Sequence, residues 1–393
     1  MELDTKSTTP KKTPRPIYLD NQATTPLDPQ VLQAMAPYLE AEFGNPSSKN
    51  HSYGWKADMA VKNARTQVAH LLNALPEEIY WTSGATESNN LVIQGLSLKL
   101  LGQKPHLITS AVEHKAVLES CEAAAELGAE VTVLPVNSFG QVEREVLEKA
   151  MRPNTKLVSL MAANNEIGTR NPIHDLAEIA HRGGALFHCD AVQGVGKFAI
   201  DLKDWNVDFL SLSGHKIYGP KGIGALFVRK GKEQFLRPLF FGGEQECGLR
   251  PGTLNVPGIV GLGKACELCG QLLESESRRL RGYQQKILEA LHSVEEHFIL
   301  NGHPTQRLCN NLSLSFPKIS ADVFPLSLSG LAYSSGSACT SGSGKPSHVL
   351  KAIGLEDLAA RATLRIGLGR FTSESEVEQA LEKILQMVKE NTV

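Results

Sequence analysis

The residue of this sequence best suited to covalent chemistry is a lysine that follows an apolar run. Residues 207–212 (VDFLSL) read as a strand, and Lys216 comes next in a turn of small, polar and glycine residues (SGHKIYGPKGIG). An amine at a strand end, with a serine and a histidine before it, suits Schiff-base formation with an aldehyde cofactor. An ordinary surface turn is the alternative, because lysine is mostly exposed and glycine-rich turns are common.

A carboxylate at a second strand end strengthens the cofactor interpretation. Asp190 ends the apolar run 185–189 (ALFHC), where a charge is costly unless a cation pairs with it. In a pyridoxal-phosphate site that cation is the protonated ring nitrogen, and Gln193 could reach the same ligand. Capping of a helix N-terminus is the alternative role for Asp190. Lys216 follows Asp190 by 216 − 190 = 26 residues, which is enough for one intervening segment and a strand to bring both to one edge.

Three further segments offer groups for the same ligand. In TSGATESNN, small residues at Gly84 and Ala85 leave N–H groups accessible at a helix start, and Thr86 adds a hydroxyl, which suits a phosphate. His114 in AVEHKAV could stack on a flat ring and exchange protons, and Asn165 in MAANNEIG could donate to a ring oxygen. Each signal is weak alone, since helix starts are commonly capped and lone histidines are usually structural or solvent-facing.

Two residues late in the chain could act on a substrate. Cys339 lies in SSGSACTSGSGKPS (334–347), where nine of fourteen residues are serine or glycine, so a mobile polar loop is expected to present its thiol. Structural cysteines are usually buried among apolar side chains, whereas a thiol on such a loop can move and react. Arg365 lies in a predicted strand (ATLRIGL) and needs an anion there. It could clamp a substrate carboxylate or form a structural ion pair, and the sequence leaves both open.

Alternating strands and helices must position these residues. Seven apolar runs are interpreted as strands, and segments such as 116–127 and 173–182 between them read as helices. This alternation predicts an α/β fold with a mostly parallel seven-stranded sheet covered by helices on both faces. In such sheets the ligand lies beyond the carboxyl ends of the strands, where the lysine, aspartate, histidine and asparagine above are found. The seven runs are 79–82, 107–110, 131–136, 157–163, 185–189, 208–212 and 223–228.

The chain divides into three predicted regions. Residues 1–16 form a polar tail that we expect to be disordered. An organellar transit peptide is the weaker alternative, because the segment carries Glu2 and Asp4 and little amphipathic pattern. Residues 27–261 form a large domain that binds the cofactor. Residues 17–26 and 262–393 form a smaller α+β domain, which carries the cysteine loop and includes a long helix over roughly 262–297.

Composition excludes several classes of function. The 393 residues carry 40 basic and 42 acidic side chains, a net charge of −2 without a long run of one charge, which argues against nucleic acid or an anionic membrane as a partner. No stretch has the length of a membrane span or the apolar core of a signal peptide. The odd number of seven cysteines suits free thiols in a reducing compartment, so a cytoplasmic protein is expected, and no metal site is predicted.

Ten segments together resemble those of one known family. They include YLDNQATTP, TSGATESNN, CDAVQ, SGHKIYGPKGIG, GLRPGT, SSGSACTSG and RIGLGRFT, in this order from about Ile17 to the C-terminal helix. In order and spacing they are similar to those of the pyridoxal-phosphate-dependent cysteine desulfurases, the NifS/IscS-like branch of the class-V aminotransferases. The resemblance implies an aspartate-aminotransferase-like (fold type I) homodimer that converts L-cysteine to L-alanine. The sulfur would stay bound to the enzyme and then pass to acceptor proteins such as an iron–sulfur scaffold.

The resemblance also implies a role for each matching residue. Lys216 would form the Schiff base with pyridoxal phosphate and then remove the Cα proton of the substrate. Asp190 would pair with the ring nitrogen, and His114 would stack on the ring as an acid and base. Cys339, as a thiolate, would receive the sulfur. Asn165 and Gln193 would contact the ring substituents. The phosphate would be held by Thr86, Ser213 and His215, together with Thr253 of the partner subunit. Asn45 and Arg365 would bind the substrate carboxylate.

Two other classes of protein remain open at this point. A selenocysteine lyase or an aminotransferase could share the fold and the cofactor. A sulfur carrier or scaffold without catalytic activity could also retain the fold, although every cofactor position named above is present.

Overall fold

The computed structural model of the chain describes residues 15–335 and 346–391, so most of the predicted tail and Cys339 lie outside the described residues. Strand β1 (Ile17–Tyr18) leads into helices α1 (Pro29–Leu39) and α2 (Ser52–Leu72). Within the described part of the chain, no helix combines the length and the apolar character needed to cross a bilayer.

A seven-stranded sheet occupies the middle of the chain. Its strands are β2 (Ile79–Thr82), β3 (His106–Ser110), β4 (Glu130–Leu134), β5 (Thr155–Met161), β6 (Leu186–Asp190), β7 (Phe209–Ser213) and β8 (Gly224–Val228). The helices between them are α3 (Ala85–Lys99), α4 (Lys115–Glu126), α5 (Arg144–Ala150), α6 (Ile173–Arg182) and α7 (Leu202–Trp205). The strand order is β2-β8-β7-β6-β5-β3-β4, and every neighbouring pair is parallel except the two pairs that include β8. The predicted α/β fold with a mostly parallel seven-stranded sheet is therefore confirmed.

Burial explains why these apolar runs form strands. Every residue of β2, β3, β7 and β8 is buried, as expected for strands that helices cover on both faces. The edge strand β4 instead keeps Glu130 and Val133 exposed. In the centre of the sheet, Asp190 at the end of β6 lies opposite Met161 on β5 and Ser211 on β7. The carboxyl ends of these three strands therefore meet at one edge.

The C-terminal third of the chain begins with a long helix, α8 (Val256–Leu291), whose predicted bounds of roughly 262–297 are wrong. It starts earlier because the Asn255 side chain accepts a hydrogen bond from the Gly258 N–H at 3.1 Å and Pro257 lies in the first turn, where its missing N–H costs nothing. Residues 256–269 pack in the core of the large sheet, whereas residues 280–291 pack in a second core. The predicted domain boundary after residue 261 falls inside this helix, so the division into domains stays a prediction.

A second, antiparallel sheet lies beyond α8. The strands of this region are β9 (Ile299–Leu300), β10 (Asn311–Ser315), β11 (Leu331–Ala332), β12 (Ser334–Ser335) and β13 (Thr363–Gly367). Its helices are α9 (Phe324–Ser327), α10 (His348–Ala352), α11 (Asp357–Arg361) and α12 (Glu374–Asn391). Strands β12, β13, β10 and β9 form the sheet in this order, and β11 pairs with β1.

The predicted cysteine loop, 334–347, is shorter than expected at both ends. Ser334 and Ser335 pair with β13 and form β12. The Ser347 hydroxyl accepts hydrogen bonds from the Val349 and Leu350 N–H groups and caps α10. Regular structure therefore anchors both sides of the segment that carries Cys339.

Candidate active site

A cavity of about 740 Å³ lies at the carboxyl edge of the large sheet. The predicted site residues that line it are Ala85, Thr86, His114, Asn165, Asp190, Gln193, Ser213, His215, Lys216 and Arg365. Asn45 and Thr253 are exposed and do not line it. Cys339 lies outside the described residues. Residues from both sheets thus come together around one cavity, although their roles are not fixed by this placement alone.

The sheet topology places four of these side chains side by side. Strands β7, β6, β5 and β3 are consecutive neighbours in the sheet and parallel to one another. The residues at or just after their carboxyl ends are, in the same order, Lys216, Asp190, Asn165 and His114. Because these strands are neighbours, residues that are far apart in sequence line the same side of the cavity.

Lys216 is held at the cavity wall by a segment that the sequence analysis matched to the family but to which it assigned no role. Its Nζ donates to the carbonyl oxygens of Gln22 and Ala23, at 2.6 Å each. The same segment contacts the neighbouring histidine, because Thr24 Oγ1 lies 3.1 Å from His215 Nδ1. Residues 20–25 (DNQATT) therefore form part of the site. The sequence marked them as part of the matching segment YLDNQATTP, but it did not indicate that they contact Lys216.

Asp190 has neutral hydrogen-bond donors. Its Oδ2 accepts from Asn89 Nδ2 at 2.8 Å, and its Oδ1 accepts from the Val192 N–H at 3.1 Å. Among residues 15–335 and 346–391, no basic side chain forms an ion pair with this carboxylate. Asn89 lies in the TESNN motif, but nothing in the sequence assigns it to Asp190. The arrangement orients a buried negative charge towards the cavity.

His114 caps helix α4 and faces the same ligand space. Its Nδ1 accepts a hydrogen bond from the Ala116 N–H at 3.1 Å, so the neutral ring carries its proton on Nε2. Burial lowers the pKa of this imidazole, and the positive charge of Lys216 adds to the effect while Asp190 opposes it. The neutral ring therefore predominates near pH 7, where it can donate or accept a proton.

The start of helix α3 forms the end of the cavity suited to an anion. Gly84, which precedes the helix, has φ of 154°, and a Cβ on Gly224 would lie 2.7 Å from the Cα of Gly84. These two glycines let β8 pack directly against the helix start. The first N–H groups of a helix have no partner inside it, so they can bind a phosphate. Burial, together with Lys216 and Lys221, lowers the pKa of the nearby His215 to about 4, which keeps that ring neutral.

Arg365 shows one of the two alternatives that the sequence left open, the structural ion pair, while its contact with a substrate carboxylate stays a prediction. It forms an ion pair with Asp20 at 2.8 Å, and it also lines the cavity. A second donor of the same guanidinium lies 3.3 Å from the carbonyl oxygen of Asn165. Asp20 was not singled out in the sequence, because it lies 345 residues from the arginine it binds.

The residues on both sides of the segment that bears Cys339 form hydrogen bonds at or near the cavity. Before it, Ser334 lines the cavity and donates to Asp20 Oδ1 at 2.8 Å. After it, the Ser347 hydroxyl donates to Glu166 Oε2 at 2.5 Å. His348, which also lines the cavity, lies 2.9 Å from the carbonyl oxygen of Glu113 through its Nε2.

Comparison with known proteins identifies the family of the chain. The chain matches the family described as aminotransferase class-V over residues 17–380. A relative from Arthroderma benhamiae, a mitochondrial cysteine desulfurase, is 47% identical over 376 residues, which cover 95% of this chain and 75% of the relative. A solved structure of a NifS-like protein has a TM-score of 0.88 and 38% identity, with 95% of this chain and 99% of the other covered. Another, SspA in complex with cysteine, has a TM-score of 0.80 and 42% identity, with 91% and 99% covered. The chain belongs to the class-V aminotransferase family and, within it, to the pyridoxal-phosphate-dependent cysteine desulfurases.

Proposed function

We propose that this chain converts L-cysteine to L-alanine and holds the sulfur as a persulfide on Cys339. The observation that carries the proposal is that Lys216, Asp190 and His114 line one cavity together with Arg365. An amine, a carboxylate and an imidazole around one ligand are the groups that cofactor-assisted chemistry on an amino acid requires. The solved complex of SspA with cysteine supports the same substrate for this chain.

The residues around the cavity fit pyridoxal phosphate. The Asp190 carboxylate is held by the neutral donors of Asn89 and Val192, so its charge suits the protonated ring nitrogen. The N–H groups at the start of α3 suit the phosphate. When bound, the cofactor supplies an aldehyde that reacts with amines and a ring that accepts electrons. The side chains and backbone groups proposed to hold it belong to Ala85, Thr86, His114, Asn165, Asp190, Gln193, Ser213 and His215, with Thr253 of the partner subunit.

Lys216 is the residue proposed to bond the cofactor and then to move a proton. The carbonyl oxygens of Gln22 and Ala23 hold its Nζ at the cavity wall. In the reaction, its amine would accept the proton from the substrate Cα. His114, neutral near pH 7, donates or accepts the second proton of the reaction.

Arg365 is proposed to bind the carboxylate of the substrate. A guanidinium matches a carboxylate with paired donors, and Arg365 reaches the cavity from the second sheet. Asn45, the other residue proposed for this contact, is exposed and accepts a hydrogen bond from the Ser47 N–H at 2.9 Å. Its contact with the substrate stays a prediction.

Cys339 is proposed to take the sulfur from the substrate. It follows Ser334 by five residues, so an extended chain could carry it at most about 18 Å from a residue that lines the cavity. The thiolate attacks the substrate sulfur and a sulfur–sulfur bond forms. The carbon–sulfur bond of the substrate breaks, and its electron pair stays with the carbon. What remains of the substrate is released as L-alanine after protonation.

The chain is proposed to act as a homodimer that passes sulfur to acceptor proteins, such as an iron–sulfur scaffold. Thr253, proposed for the phosphate, is exposed and lies outside the cavity of its own chain. Large apolar side chains are also exposed, among them Phe43, Trp55 and Phe241, and a second copy would cover such a surface. A reducing compartment such as the cytoplasm suits the thiol chemistry.

Replacement of the lysine tests the proposed function. The protein purified with pyridoxal phosphate should be yellow, and Lys216→Ala should lose the absorbance of the lysine-bound cofactor together with all production of alanine from cysteine. Lys230→Ala, which changes an exposed lysine just after β8, is the matched control and should behave as the wild type. A Lys216→Ala protein with the wild-type spectrum and turnover would refute the assignment.

A further inference from the structure

The arginine proposed for the substrate carboxylate is already bound to a carboxylate of the chain itself. Arg365 Nη2 donates to Asp20 Oδ1 at 2.8 Å and to the Ser334 hydroxyl at 2.7 Å. The Ser334 hydroxyl donates in turn to the same Asp20 oxygen at 2.8 Å. The three side chains therefore close a triangle around one carboxylate oxygen.

Backbone pairing fixes this triangle in place. Ser334 lies opposite Arg365 in the pairing of β12 with β13. Asp20 forms an isolated bridge with Gly367, the last residue of β13. On either side of Asp20, the Leu19 carbonyl accepts from the Gly367 N–H at 2.6 Å, and the Asn21 N–H donates to the Gly367 carbonyl at 3.2 Å. A shift of the Asp20 backbone would break these bonds, so the carboxylate stays beside the guanidinium.

Asp20 contacts the arginine but does not line the ligand cavity. Arg365 and Ser334 line the cavity, whereas Asp20 does not. The side chains of Arg365 and Asp20 are 7% and 19% exposed, so water and salt screen the pair little. When a ligand carboxylate enters the cavity, the positive charge of Arg365 is therefore already partly neutralised by Asp20.

We propose that Asp20 is a built-in competitor for Arg365, which weakens the binding of the ligand carboxylate and speeds the release of product. This inference rests on the proposed function, because the ligands concerned are L-cysteine and L-alanine. Substrate and product carry the same carboxylate, so the negative charge of Asp20 lowers the affinity for both. Without it, the enzyme would bind L-alanine more tightly and turn over more slowly at high product concentration.

Removal of the Asp20 charge tests the proposal. Asp20→Asn keeps the size of the side chain and an oxygen that accepts from Arg365 and Ser334. Titration calorimetry of the cofactor-loaded protein with L-alanine, which is not turned over, should show a dissociation constant at least roughly fivefold lower than that of the wild type. Repulsion between two carboxylates about 4 Å apart reaches this scale even in water. Ser334→Ala removes a neutral hydroxyl from the same triangle and should not show this gain.

The outcomes separate this proposal from the proposed function. An unchanged or higher dissociation constant in Asp20→Asn would overturn the competitor role and leave the desulfurase assignment intact. Should Asp20→Asn fail to fold, as circular dichroism would reveal, Asp20→Ser removes the same charge and is expected to give the same gain. A wild-type protein that binds no L-alanine would refute the amino acid site itself, and this proposal with it.

Discussion

Arg365 and Arg370 lie in the same short segment, RIGLGR, yet their surroundings differ. Arg370 is held between two carboxylates, Asp28 at 2.9 Å and Glu276 at 2.8 Å, and it does not line the cavity. Arg365 pairs with Asp20 and does line the cavity. Two arginines from one motif thus differ in whether a cavity is open to them.

The difference separates a structural charge from one that is proposed to bind a ligand. Burial lowers the pKa of the Arg370 guanidinium, but Glu276 and Asp28 outweigh this effect and raise the pKa above its ordinary value. The same guanidinium lies 4.2 Å from the centre of the Tyr218 ring, which adds a cation–π contact. These partners belong to the start of α1, to α8 and to the turn after β7, so Arg370 ties the end of β13 to the large sheet. Arg365 instead has a cavity in front of it, where a ligand carboxylate can bind.

The largest effect that would test this contrast is on stability. Arg370→Gln would leave the carboxylates of Asp28 and Glu276 buried without their cation, which costs about 3–5 kcal/mol in the free energy of unfolding. Denaturation by urea, followed by circular dichroism, measures the loss. Arg365→Gln is the matched variant and should lose less. Equal losses in the two variants would remove the distinction between the arginines.

The second largest effect is expected on catalysis, when Arg365 is replaced. Arg365→Gln is expected to lower kcat/KM for L-cysteine by roughly 10- to 100-fold, because a hydrogen bond to a charged group contributes about 1.5–3 kcal/mol. The carboxylate is bound in the ground state and in the transition state alike, so KM should change more than kcat. Alanine production at varied cysteine concentration measures both.

Arg361→Gln is the control for this prediction. Arg361 is exposed, lies in α11 four residues before Arg365, and does not line the cavity. Its replacement should leave kcat/KM unchanged. If Arg365→Gln behaved in the same way, Arg365 would be as structural as Arg370.

Glu113 differs from both arginines, because this buried acid has only neutral hydrogen-bond partners. Its replacement is expected to have the smallest effect of the three. It accepts from the Ser110 hydroxyl at 2.7 Å and from the Met161 N–H at 3.0 Å, and burial raises its pKa from the ordinary 4.5 to about 8. Between these two values the folded protein holds a proton that the unfolded chain releases, so this carboxyl destabilises the fold as the pH rises.

Glu113→Gln should remove that dependence on pH. Relative to the wild type, the variant is expected to gain about 1–3 kcal/mol in the free energy of unfolding as the pH rises from about 5 to about 8. Denaturation curves at several pH values measure the gain. Parallel curves for the two proteins would contradict the raised pKa.

Much of the site could be predicted because its signals are local. Apolar runs followed by glycine-rich or polar turns mark the strand ends that carry Lys216, Asp190 and His114, and parallel topology brings such ends to one edge. The start of α8 could also have been found, since Asn255 followed by Pro257 is a helix-start signal.

The supporting residues could not be predicted because their partners are distant in sequence. Asp20 binds an arginine 345 residues away, and Asn89 binds a carboxylate 101 residues away. No periodicity connects such pairs. Asp20 meets Arg365 because its segment lies beside β13, and Asn89 meets Asp190 because α3 packs on the large sheet. The competition at Arg365 could therefore be recognised only in the folded chain.

Transfer of sulfur from L-cysteine to Cys339 is the step on which the proposed function depends. The cofactor-loaded protein, treated with L-cysteine and no reductant, should release L-alanine in an amount comparable to that of the protein. Mass spectrometry should then find the mass of one added sulfur atom on the peptide that carries Cys339. Cys339→Ser should show no such addition, whereas Cys247→Ser, which changes an exposed cysteine, should match the wild type. Undiminished turnover to alanine and sulfide by Cys339→Ser under thiol reductant would contradict the role of Cys339.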